Sequence, residues 1–114
     1  MPDKKFSTEP VSKSIKVVFN NETIVESDQA LVLHEGSHQP IYYFPRSDVK
    51  MEFLNPTDHL THWPHKGDAS YFSITVGNQI AENAVWSYEN LIDSAQEIKE
   101  FLAFYPGQVE FIEK

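Results

Sequence analysis

The 114-residue chain contains no cysteine. That absence excludes disulfides, thiolate metal ligands and cysteine nucleophiles, and leaves His and carboxylates as the donors a transition metal would need. Basic residues are scarce: 9 Lys and Arg stand against 17 Asp and Glu, for a net charge of −8. The few cations are scattered from Lys4 to Lys114 without a cluster. Such a surface repels a phosphate backbone, so the expectation is no nucleic-acid partner. Long apolar runs are also lacking. None approaches the roughly 20 residues that span a bilayer, and residues 1–10 are polar where a signal peptide would be apolar. No membrane partner and a cytoplasmic location are the expectations. Only 4 glycines occur, none in a phosphate-binding loop.

What is abundant is aromatic: 8 Phe, 5 Tyr and 2 Trp. Aromatic and β-branched residues favour strands. A chain of this length buries about two-thirds of its unfolded surface in one core, which predicts a single domain.

Residues 1–13, "MPDKKFSTEPVSK", show neither helical nor strand periodicity and read as a flexible N-terminal arm, with one domain over 14–114. From Ile15, β-prone runs follow at 15–19, 23–26, 30–35 and 41–44, the first two split by an Asn20-Asn21 hairpin turn. Pro45 with Arg46-Ser47-Asp48 suits one tight helical turn. "VKMEFLN" at 49–55 then alternates, with Val49, Met51 and Phe53 on one side, as a half-buried strand does. Pro56 and Asp58 mark a turn. "ASYFSITV" at 69–76, Gly77-Asn78 and "QIAENAVWSYE" at 79–89 read as a further hairpin. Ser94 and Glu97 fit a capping box, which predicts one late α-helix ending near Glu100, although "FLAFY" reads equally well as strand. A last strand follows at 109–113. The class is mainly β (α+β), a single small domain of short antiparallel strands with one late helix.

Candidate chemistry centres on "THWPHKGDASYFS". His59, His62 and His65 recur at spacing three, but Pro64 and β-prone neighbours oppose the helix that would align them, and no metal is expected. Lys66 offers a point charge and Gly67 a close backbone approach. Combined with Tyr43, Arg46, Tyr71, Trp86 and Tyr88, they would form an aromatic-walled pocket for a small anionic or aromatic ligand, with Asp48 or Asp68 as a candidate base. The same aromatics equally suit a core with polar tips at its rim, with Arg46 paired to Asp48 or Glu52. No cofactor is singled out.

"YYFPRSDVKMEFL", "PHKGDASYFSITV", "NAVWSYEN" and "FLAFYPGQVEFIE", in this order, resemble the family catalogued as domain of unknown function 427, over about residues 17–113. The resemblance implies a small, mostly β single domain without an established activity, of a kind found largely in bacteria and fungi. By position, the family's tyrosine-phenylalanine-proline turn falls on Tyr43, Phe44 and Pro45, followed by Asp48. A second motif falls on Pro64, Lys66, Gly67, Ala69, Ser70 and Tyr71, and a third on Trp86 and Tyr88. Many members carry a cysteine just before that proline, where this chain has Trp63, so a thiol mechanism has no counterpart here. The nucleotidyltransferase in the family's label needs convergent carboxylates for Mg²⁺. No closely spaced Asp pair in a strand supplies them.

Three functions stay open at this level. The first is a small-ligand-binding domain. The second is an enzyme acting on a phosphate-bearing, nucleotide-like substrate, with Asp48 or Asp68 in acid/base work and Lys66 stabilising charge. The third is a protein-interaction or homodimerisation module using a β edge.

Overall fold

A computed structural model describes residues 7–34, 40–63, 67–91, 98 and 100–113. Ten strands follow in chain order: β1 Ser7–Pro10, β2 Ile15–Phe19, β3 Glu22–Ser27, β4 Leu31–His34, β5 Ile41–Phe44, β6 Leu54–Trp63, β7 Gly67–Val76, β8 Gln79–Leu91, β9 Leu102–Phe104 and β10 Glu110–Glu113. They form two antiparallel sheets. One has seven strands in the order β1-β4-β5-β9-β8-β7-β6, and the other three in the order β10-β2-β3.

The hairpin chemistry is as the sequence predicts. Asn20 and Asn21 sit at φ 51 and φ 64, the left-handed region that a two-residue β2–β3 turn requires and asparagine tolerates. Gly77, between β7 and β8, takes φ 57. Alternation then sorts the side chains. Phe44, Phe72, Ile74, Val85, Leu102 and Phe104 of the large sheet pack against Ile15, Val17, Ile24 and Val25 of the small one, which makes the main core lie between the sheets. A second cluster, with Leu33, Tyr43, Ala69, Tyr71, Trp86, Tyr88, Ile98 and Ala103, covers the opposite face of the large sheet.

Four local expectations change. Ser7–Pro10, read as part of a flexible arm, pairs with β4 as an edge strand, opposite Leu31 to His34. The strand expected over 49–55 does not form. Val49 makes a single bridge to Val25, after which Met51–Phe53 closes a 3-10 turn, with the Phe53 N–H donating to the Lys50 carbonyl at 3.2 Å. A strand needs a paired neighbour along its length, and ladder pairing is lost from Lys50 to Phe53 before it resumes at Leu54, opposite Ile74. Met51 and Phe53 still reach the main core. The turn expected at Pro56 and Asp58 is instead the first half of β6, where the register with β7 breaks between Pro56 and Leu60. Among the described residues β6 pairs on one side only, and an edge strand of that kind tolerates proline. The late α-helix is not borne out: Glu100 lies at φ 65, outside helical space, and "LAF" is strand β9. Ser94 and Glu97, the capping pair, lie outside the described residues. The tight turn at Arg46–Asp48 is present as a 3-10 turn.

Candidate functional site

Antiparallel pairing places directly opposed residues on one face. Tyr43 of β5 faces Ala103 of β9, Ala103 faces Trp86 of β8, and Trp86 faces Tyr71 of β7. The four make one row across four strands. Ala69 and Tyr88 form a parallel pair beside it. Small alanines between bulky rings let the rings lean together: Tyr43 and Trp86 meet edge to face at 6.3 Å, and the Trp86 indole N–H donates to the Tyr43 hydroxyl at 3.2 Å.

The row reaches solvent at its β7 end. There the Tyr71 hydroxyl lies 3.0 Å from Thr61 Oγ1, and beside it stands Tyr105, whose ring sits 4.5 Å from Trp86. The exposed His59 ring meets Tyr71 edge-on at 4.4 Å. Tyr105 is 42% exposed, yet partial burial first and the neighbouring Tyr71 hydroxyl second push its phenol up to about 12. The result is an apolar wall ending in three hydroxyls and one imidazole.

Four of the residues expected in a pocket, Tyr43, Tyr71, Trp86 and Tyr88, are thus brought together. Tyr43 is fully buried and belongs to the core beneath, while Tyr71 and Trp86 are almost so. The others are elsewhere. Arg46 is on the opposite face: its Nη2 donates to Ser87 Oγ at 3.1 Å, its Nε to the Glu100 carbonyl at 3.2 Å, and its guanidinium lies 5.8 Å from the Phe72 ring centre. Ser87 follows Trp86 in β8, and successive side chains of a strand point to opposite faces. Asp48 accepts a 2.6 Å hydrogen bond from the Ser27 hydroxyl and ties its turn to β3. Asp68 lies 2.7 Å from His62 Nδ1, both exposed. Gly67 is buried at φ 121, paired with Trp63 and Leu91. Lys66 and His65 lie outside the described residues. Among the described residues, no three His, Asp or Glu side chains group to hold a metal ion.

His59, Thr61 and Tyr105 complete the rim, and the sequence reading missed all three as a group. Each was within reach of simple alternation. A strand carried through Pro56 to Trp63 puts His59 and Thr61 on one face, and "FLAFY" read as strand puts Ala103 and Tyr105 on one face.

The chain also matches a known family. The chain fits the family described as a domain of unknown function (DUF427) over residues 7–114, and it belongs to that family. None of the curated proteins is a significant match.

Proposed function

We propose that this domain binds a small, flat aromatic ligand at the rim formed by Tyr71, Trp86, Tyr105, His59 and Thr61. The observation that carries the reading is the meeting of three hydroxyls at Tyr71, beside an exposed imidazole and against the Trp86 ring. An apolar platform edged by a few directional polar groups is the usual makeup of a small-molecule site. The exposed Tyr105 and His59 rings supply contact area, and the hydroxyls fix orientation.

Of the anionic and aromatic ligands that the sequence admits, the geometry favours the aromatic. Arg46 is engaged on the far side of the sheet. An enzymatic role for Asp48 or Asp68 gains no support from their partners, since Asp48 holds Ser27 and Asp68 meets His62 away from the ring row.

Thermal unfolding against nucleosides, indoles, flavins, sugar phosphates and Zn²⁺ tests the proposal. A ligand at about a hundred times its Kd stabilises by roughly 2.7 kcal/mol, a shift of several degrees for a domain this size. The expected outcome is a shift with a heteroaromatic compound that is lost in His59→Ala and reduced in Tyr71→Phe. A shift with phosphates alone, or one unchanged in both variants, would overturn it.

A further inference from the structure

The seven-stranded sheet is wider than the three-stranded one packed on it. At its β1-β4-β5 end, Val32 stands between Glu9 and Tyr42 in the ladder, and directly opposed residues share one face. Tyr42 shows that this face is turned toward the small sheet. Its ring lies 6.0 Å from Phe111 of the edge strand β10, and its hydroxyl donates to Glu113 Oε2 at 2.8 Å. Between β10 and the chain leaving β1 lies a groove of about 370 Å³, lined by Val32, Pro40, Tyr42, Pro10 and Val11, with Lys13, His34 and Glu113 at its rim. That volume suits a small molecule. The side formed by Val11 is fixed, because its N–H donates to the Ala30 carbonyl at 2.9 Å.

The charges around this groove favour a cation. Glu113 and Glu9 supply two carboxylates, against Lys13 and a His34 that lies 3.2 Å from Glu9. The Glu113 carboxyl is lowered, first by Tyr42 and then by Lys13, so it is ionised at neutral pH, and Tyr42 holds one of its oxygens in place. The other oxygen is less firmly occupied. Lys13 Nζ lies 3.4 Å from it, with a side chain 59% exposed, whereas a tight charge-assisted bond measures roughly 2.7–2.9 Å. An exposed pair of that kind is worth little, and its lysine is readily displaced.

We propose that the groove binds a small alkylammonium, whose N–H groups take the place of Lys13 on Glu113 Oε1 and whose carbon chain lies over Val32 between Pro10 and Pro40. The net charge of −8 draws such a cation toward the protein. An anion of the same shape would meet the two carboxylates. The site is independent of the aromatic rim: Tyr42 and Tyr43 are successive residues of β5, so groove and rim lie on opposite faces of the sheet.

Parallel ¹H–¹⁵N titrations with n-hexylammonium and with hexanoate test the proposal. The amides of Val11, Val32, Tyr42 and Glu113 are expected to move together and saturate with hexylammonium, and to stay in place with hexanoate. Glu113→Gln, at an exposed position, is expected to weaken hexylammonium binding by about tenfold or more, the loss of a charge-assisted hydrogen bond. Lys13→Gln is expected to tighten it by about two- to fivefold, since the competing ammonium is gone. The absence of saturable shifts with hexylammonium overturns the proposal, as do equal shifts with hexanoate. An affinity that is unchanged in Glu113→Gln, or that fails to rise in Lys13→Gln, overturns it as well.

Discussion

Trp86 donates its indole N–H to the hydroxyl of Tyr43 at 3.2 Å, reaching across the strand that carries Ala103 between them. Because both rings are buried or nearly so, Tyr43→Phe leaves that N–H without its acceptor at a cost of about 1–3 kcal/mol. Trp86→Phe forfeits the bond and ring volume together. Urea unfolding of both single variants and the double one should show coupling, with the double variant less destabilised than the sum.

Asp48 is a fastening residue, held at 2.6 Å by Ser27, whose hydroxyl in turn accepts the Gln29 N–H at 3.1 Å. Asp48→Asn is expected to lower stability by about 1–2 kcal/mol, the loss of one partly buried charge-assisted hydrogen bond. Ligand affinity measured below the melting transition should be unchanged. A variant of native stability that fails to bind or react would return Asp48 to a direct role.

Tyr105 should titrate late. Its phenol is raised from 10.0 to about 12, so the folded state holds the proton that the unfolded chain releases. That contribution to stability is whole below pH 10 and is lost as pH rises through about 12. Spectrophotometric titration of tyrosinate in the native protein should show a last step near pH 12 that Tyr105→Phe removes. A last step that remains in the variant contradicts the assignment.

At the far side of the molecule, Tyr42 donates to Glu113 Oε2 at 2.8 Å and Lys13 lies 3.4 Å from Oε1. The Glu113 carboxyl is lowered from 4.5, first by Tyr42 and then by Lys13, while Tyr42 itself is raised by the same hydrogen bond. A lowered carboxyl contributes stability above the unfolded value of 4.5 and loses it as pH falls through the folded value. Tyr42→Phe should move Glu113 upward in a carboxyl ¹³C titration, with the difference in stability between the two proteins vanishing at acid pH.

The strands and hairpins were legible because alternation and turn chemistry agree: "IYYF" is β5 to the residue, and Asn20-Asn21 adopts the positive φ that the hairpin needs. The gathering of Tyr43, Tyr71, Trp86 and Tyr88 was legible in kind, as aromatics with polar tips, but strand order decided it. Arg46 shows why. Nearness in sequence to Tyr43 said nothing of the face on which its side chain would settle. Pro56 and Asp58 carry turn chemistry that a long edge strand overrode, and that hid the alternation of His59 with Thr61. The capping-box reading at Ser94 weighed local propensity alone, whereas "LAF" is drawn into the sheet by pairing on both sides with β5 and β8.

The measurement that bears most directly on the account is a ¹H–¹⁵N spectrum of the protein titrated with the heteroaromatic compound that most raises its melting temperature. The account predicts that the Trp86 indole cross-peak and the amides of His59, Thr61, Tyr71 and Tyr105 move together and saturate at one Kd. Shifts confined to the groove lined by Pro10, Val11, Val32, Tyr42 and Glu113, or to the one between Asn20 and Gly107, with the rim unmoved, would contradict it.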